Sequence, residues 1–479
     1  MSRSDYKRRR NRRRFQQVVR RLPILIVCLI VFLLVLAGIF AGARVLLSKR
    51  GHFPKKATSS QAQTSSDFEG NDTASILARA EKLASGYDYD AALALVQELA
   101  KTNATDTNVL DAISRYESEK ASLVKTDPSK ITHVFFHSLI VDTDEAFDGD
   151  SRAASYNSVM TTKMEFLRIL NAMYENGYVL VRLHNVAHEE TAENGTTRFV
   201  PGEIYLPEGK KPFVMSQDDV CYYEYMDGDG FASRIVIGAD GKPTCERILA
   251  DGTVVTGDYD LVPILEHFIE EHPDFSYRGA RAVLAFTGYQ GILGYRTASD
   301  YKDSPTYEED RAQAAKVAAT LKEQGWELAS HSYGHLRLGV ADSSSKPSEE
   351  ENGFAISWER FQTDTDRWEE EVESLIGETD IILYPFGNDI ADFHPYTAEN
   401  PRFAYLEEKG FRYFCNVDAS APYWIQMGDN YLRMARRNLD GYRLYEDYAQ
   451  TDPSKLRLSD LFDAKEIFDT ARPTPVTWY

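Results

Sequence analysis

The chain has 479 residues, a formal net charge of −20 and 12% aromatic residues, which is enough for one large domain plus accessories or for two medium domains. Its charge is uneven, because residues 1–21 hold ten Lys/Arg against the single acid Asp5 and leave the remainder strongly acidic. An acidic body repels phosphates and so excludes a nucleic-acid partner from expectation, and four cysteines are too few for a disulfide scaffold.

The basic tail 1–21 is followed by an uncharged run over 22–43, rich in Leu, Ile, Val and Phe. About 20 such residues cross a bilayer, so 22–47 is predicted to be a transmembrane helix and the chain a single-pass protein of the cell membrane. The positive-inside rule then keeps the tail cytoplasmic and places everything after residue 48 outside. Ala41, Gly42 and Ala43 also fit a signal-peptidase site, which is the competing reading. Residues 48–73, rich in Ser, Thr, Gln, Asp and Gly, read as a flexible linker. Over 74–127, apolar residues at helical spacing (Ile76, Leu77, Ala80, Leu83, then Leu93, Val96, Leu99) predict a short α-helical stalk. The stretch 86–95 resembles half a tetratricopeptide unit, but no second copy follows. With Cys28 in the apolar run, Cys221, Cys245 and Cys415 remain for one bridge plus a thiol, or for three thiols.

From residue 128 the pattern alternates between strand and helix. Strands are predicted at 131–137, 178–183, 211–217, 281–286, 327–331, 381–384, 412–417 and 431–435. Helices are predicted at 161–175, 260–271, 308–324, 356–376, 399–409 and 459–470. Residues 220–257 read as an insertion with hairpin turns at Asp240-Gly241 and Asp251-Gly252. Such alternation predicts an α/β fold, a parallel sheet under helices, closed as a barrel or doubly wound. In both, chemistry collects where strands end.

Three strand ends carry suitable residues. The strand 211–217 runs into Asp218-Asp219, two carboxylates able to serve a metal and a proton transfer. The strand 327–331 continues as His331-Ser332-Tyr333-Gly334-His335, and on a helical turn that spacing puts both imidazoles on one side. One carboxylate with two histidines leaves an open coordination position, the ligand set of a catalytic metal. At 384–387, Tyr-Pro-Phe-Gly forms a fixed turn that can aim the Phe386 N–H at a developing oxyanion. Taken singly, each has a plainer reading: an acidic turn, a chance histidine pair, a strand-ending turn.

Together and in this order, with Phe135-Phe136-His137-Ser138-Leu139-Ile140 near the domain start, they resemble the polysaccharide deacetylases with a NodB-like domain, carbohydrate esterase family four. The resemblance covers about residues 130–440 and makes 128–479 the catalytic domain. It implies a deformed (β/α) barrel and a divalent metal, zinc by expectation, on Asp219, His331 and His335. It also implies Asp218 as catalytic base, Phe386 as backbone oxyanion donor, and removal of acetyl groups from an N-acetylated polysaccharide. Val220 stands where the family has Gly, and Leu383 where many members carry Arg. The late Leu-x-His, whose histidine is the usual general acid, is absent, and Arg436 and Arg437 stand near its place. Arginine keeps its proton but can stabilise an oxyanion, so Arg436 enters the expected catalytic set, with His137 and Asp440 as substitute proton donors. The alternative function is a glycan-binding or scaffolding protein that lost turnover; an O-acetyl esterase would use the same machinery. Tyr289, Tyr295 and Tyr301 are candidates for lining a sugar groove, since sugar faces stack on aromatics.

Overall fold

The computed structural model describes residues 70–478 apart from 193–194 and 250. The expected basic tail, transmembrane helix and nearly all of the linker lie outside the described residues, among which no helix is long and apolar enough to cross a membrane.

Seven short strands, buried along most of their length, follow one another around a ring: β1 (Thr132–Phe136), β2 (Lys211–Gln217), β3 (Val283–Phe286), β4 (Glu327–Ser330), β5 (Ile381–Leu383), β6 (Tyr413–Val417) and β7 (Leu432–Asn438). Burial on both faces is what a parallel sheet under helices requires. Every neighbouring pair is parallel, and β7 closes on β1 with Arg436 opposite His133 and Asn438 opposite Phe135. The chain is therefore a closed α/β barrel with sequential strand order. The period-2 alternation divides its core. Val134, Phe136, Phe213, Met215 and Leu284 point outward into one cluster with the covering helices. Val214, Val283, Ala285, Ala329, Leu383 and Cys415 join a second cluster inside the ring.

Three helices precede the barrel: α1 (Thr73–Ser85), α2 (Tyr89–Thr102) and α3 (Thr107–Ser122). Asp72, Asp88 and Asp106 cap their N-termini by accepting backbone N–H bonds. Their apolar faces share the inner cluster with Ile131, Leu183 and Tyr277, residues at the amino-terminal end of the barrel. The Arg278 amide donates to Gly86 O at 2.7 Å, and the Tyr87 and Tyr277 rings stack at 6.3 Å.

The covering helices are α4 (Lys163–Glu175), α5 (Leu261–Glu271), α6 (Tyr307–Glu323), α7 (Trp358–Trp368), α8 (Pro401–Glu408) and α9 (Gly441–Ala449). In α4, Phe166, Ile169, Leu170 and Met173 recur at helical spacing beneath a Thr162/Glu165 capping box. Phe166 packs edge-on against Phe136 at 5.0 Å. Glu165 also takes the fully buried Arg472 guanidinium at 2.6 Å, which pins the C-terminal segment to this helix.

Several predicted elements take a different form. The strand expected at 178–183 is Tyr178–Leu180; it pairs with the first residues of β2, bridges Ser276 through Leu180, and stays outside the ring. The helix expected at 459–470 shrinks to Ala464–Ile467, because Leu458, Leu461, Phe462 and Phe468 are buried along an irregular chain. Helix α9 went unpredicted, masked by Gly441 and its many aromatics, yet Asp440 caps it by accepting from the Arg443 amide at 2.8 Å. The insertion is a three-stranded antiparallel sheet, Arg234–Ile237, Pro243–Ile248 and Val254–Gly257. Cys221, Cys245 and Cys415 are buried thiols.

Candidate metal centre

The carboxyl ends of β1, β2, β4, β5 and β7 present His137, Asp218 and Asp219, His331, Phe386, and Arg436 with Asp440. One donor atom from each of Asp219, His331 and His335 lies within 4.8 Å of the other two. The His335 Nε2–Asp219 Oδ2 distance is 3.8 Å, close to the separation of about 3.4 Å that two ligands of a tetrahedral zinc adopt.

The histidine pair is not on a helix. Residues 331–335 form an irregular turn in which Ser332 has φ +60° and His335 φ +52°. Asp364 on α7 holds this turn, accepting from the Tyr333 amide at 2.9 Å and the Gly334 amide at 2.7 Å. The turn still brings the two imidazole centroids to 5.1 Å. Asp219 at φ +57° and Phe386 at φ +59° are left-handed as well. Asp and His tolerate that region, whereas Ser332 and Phe386 each carry strain of about 1–3 kcal/mol. Strain of this kind concentrates where geometry serves a site.

The surroundings prepare the three residues as ligands. His331 is 1% exposed and donates its Nδ1–H to Leu383 O at 2.7 Å, which fixes the tautomer and leaves the Nε2 lone pair facing the carboxylates. Burial pushes the His331 pKa down to about 4 against the attraction of Asp218, so the ring is neutral near pH 7. The Tyr223 hydroxyl donates to Asp219 Oδ1 at 2.8 Å and lies 3.0 Å from Thr287 Oγ1. Burial raises the Asp219 carboxyl, but His335 and His331 outweigh it and hold the group below its ordinary value. This donor set fits a divalent cation: one carboxylate, two imidazoles, and hydrogen bonds behind the carboxylate and His331.

Asp218 is 3% exposed. Its Oδ2 lies 3.7 Å from His331 Nε2, and its Oδ1 accepts from Arg436 Nη1 at 2.5 Å. Burial pushes the carboxyl up, yet the charge of Arg436 holds it well below the usual carboxylate range. Arg436, fully buried inside the barrel, thus pairs with the carboxylate expected to be the base instead of standing free as an oxyanion donor. The adjacent Arg437 points outward to Asp460 at 2.8 Å.

His137 is half-buried between two acids on flanking strands. The Asp218 amide donates to Phe136 O at 2.9 Å and the Leu439 amide to Phe135 O at 3.1 Å, so Asp218 and Asp440 stand level with His137 on either side. Phe386 sits in the turn Pro385–Gly387, its ring 55% exposed and 4.4 Å from that of His335. Gly387 is required there, because at φ +66° a Cβ would lie 2.4 Å from Val417 Cβ.

Of the three loop tyrosines, Tyr289 stacks on Tyr223 at 5.1 Å beside the site. Tyr295 is 5% exposed and belongs to the core, so it lines no groove, and Tyr301 is half-buried. Sequence reasoning missed Tyr223 and Asp364; the only signals were a tyrosine four residues after Asp219 and an acid inside a helix. Comparison with family models, with curated proteins and with solved structures returns no match for this chain.

Proposed function

We propose that the chain is a membrane-anchored, extracytoplasmic metal-dependent deacetylase, a NodB-like barrel of the polysaccharide deacetylase family. It removes acetyl groups from an N-acetylated polysaccharide of cell wall or exopolysaccharide. The observation that carries this reading is the meeting of Asp218, Asp219, His331 and His335 at one end of the barrel, with Asp218 kept ionised by Arg436.

Asp219, His331 and His335 would hold the cation, zinc by preference. When bound, such an ion supplies Lewis acidity toward water and an acyl oxygen. The residues around it divide the remaining work. Asp218, an anion over the whole working pH range, takes the proton from the attacking water. The Phe386 N–H donates toward the acyl oxygen as it gains charge. His137, beside Asp440, gives a proton to the departing amine, the task for which Arg436 is unsuited. Arg436 positions Asp218 and keeps it charged. Acetate and a free amino sugar leave.

The anchor at 22–47 fits this chemistry, because an insoluble polymer outside the cell has to be met there. The absence of a histidine on β7 favours a second reading, a glycan-binding protein on the same fold without turnover. The full-length chain in detergent, supplied with zinc, should release acetate from N-acetylated oligosaccharides, and His137→Ala should slow release by about 10²–10⁴-fold. Acetate from O-acetylated glycans alone would make it an esterase. No acetate from any glycan, with zinc bound, would leave the binding reading.

A further inference from the structure

Residues 336–340 leave His335 and run against the turn that carries Phe386. The Gly339 amide donates to Asn388 Oδ1 at 2.7 Å, and Asn388 Nδ2 donates to Val340 O at 2.8 Å. Beside them the Val340 amide donates to Asp389 O at 2.9 Å. Asn388 is 8% exposed, so little water competes for its bonds. Gly339 has no room for a side chain, since a Cβ there would lie 1.9 Å from Asp389 O. The same segment also holds the Phe386 ring, with the Arg337 guanidinium 4.3 Å above it.

The turn needs such a hold. Phe386 has φ +59°, a left-handed conformation that a bulky residue leaves when it is free to do so. Its neighbours do not impose that angle: Pro385 fixes its own φ and restricts the residue before it, and Gly387 is permissive. Asn388 closes the turn by donating its own amide to Pro385 O at 3.1 Å, and its side chain then ties the closed turn to 339–340. Relaxation of φ to negative values would re-aim the Phe386 N–H.

We propose that Asn388 is a positioning residue, which fastens the Phe386 turn to the segment behind His335 and so keeps the Phe386 N–H aimed at the acyl oxygen. Metal ligand and oxyanion donor come from the ends of β4 and β5, and this fastening fixes one against the other. The proposal rests on the deacetylase reading and adds a residue that the reading does not use.

The test is a double-mutant cycle in the zinc-loaded full-length chain, combining Asn388→Ala with Phe386→Gly. One readout is acetate release from β-1,4-linked N-acetylglucosamine hexamer. The other is calorimetric binding of a methylphosphonamidate of glucosamine, whose anionic tetrahedral centre copies the adduct. Asn388→Ala should lower kcat about 10–100-fold and weaken phosphonamidate binding by the same factor, with KM and bound zinc unchanged. Glycine takes a positive φ without strain, so in the Phe386→Gly background the same substitution should cost about threefold at most. Asn388→Asp keeps the shape and the acceptor for Gly339 and so folds where alanine does not; it should show the same dependence on background. Equal losses in both backgrounds, or an unchanged kcat in Asn388→Ala, would overturn the positioning role and leave the deacetylase reading standing. A wild type that binds the phosphonamidate but releases no acetate, with the loss of binding confined to the Phe386 background, would uphold the role and sink the deacetylase reading. Neither acetate nor phosphonamidate binding in wild type would overturn both.

Discussion

Asp218 survives as a buried anion only because Arg436 lies 2.5 Å away at full burial. Removing one partner of such a pair leaves an uncompensated buried charge, at a cost of about 3–5 kcal/mol. Arg436→Leu should therefore unfold at markedly lower urea than wild type. An unchanged midpoint would mean the pair does not hold the barrel interior as described. Tyr223→Phe makes a finer cut: it deletes the hydroxyl bonded to Asp219 while keeping the ring that stacks on Tyr289. Zinc affinity, read by chelator competition, should fall about 10–100-fold with little change in melting temperature. At this scale the four polar residues at the strand ends were legible, because short motifs carry their chemistry in their spacing. The partner of Arg436 was not, since its side chain crosses the barrel interior above His133 to reach β2, and ring closure is absent from any local pattern.

At the scale of elements, the amino ends of β4 and β5 are tied by one histidine. His184 hydrogen-bonds Glu327 at 2.5 Å through Nδ1 and meets Asp380 at 3.0 Å through Nε2. Burial works against its charge, but the hydrogen bonds to Asp380 and Glu327 win and raise its pKa from 6.5 to about 10. A pKa raised on folding stabilises the folded state fully below the unfolded value and loses that stabilisation as pH climbs through the folded one. The urea midpoint of wild type should thus exceed that of His184→Gln most at pH 6, and the gap should close as pH rises from about 6.5 through about 10. With the His184 side chain 40% exposed, solvent screens the pair and the effect will be modest. A gap that widens with pH would contradict the assignment. Strand positions were legible here, because apolar runs before polar turns mark buried parallel strands. The shape of 331–335 was not: an H-x-x-x-H spacing suits a helical turn equally well, and the hold that Asp364 has on the Tyr333 and Gly334 amides comes from thirty residues further on.

Over the whole molecule, the sequential strand order places every proposed working residue at one end of the barrel, while α1–α3 pack at the other. The β–α alternation announced a parallel sheet but left closure open; the pairing of β7 with β1 decides it. The packing of the leading helices was hidden for the same reason, since amphipathic spacing shows a face to be buried without naming what buries it. The central claim is that Asp219, His331 and His335 hold a metal beside which Asp218 acts as base. It is tested most directly by measuring bound zinc per chain and acetate release together in wild type, Asp218→Asn and His335→Ala. The account predicts that Asp218→Asn keeps its zinc and loses turnover, and that His335→Ala loses both. Full activity in Asp218→Asn, or undiminished zinc in His335→Ala, would contradict it.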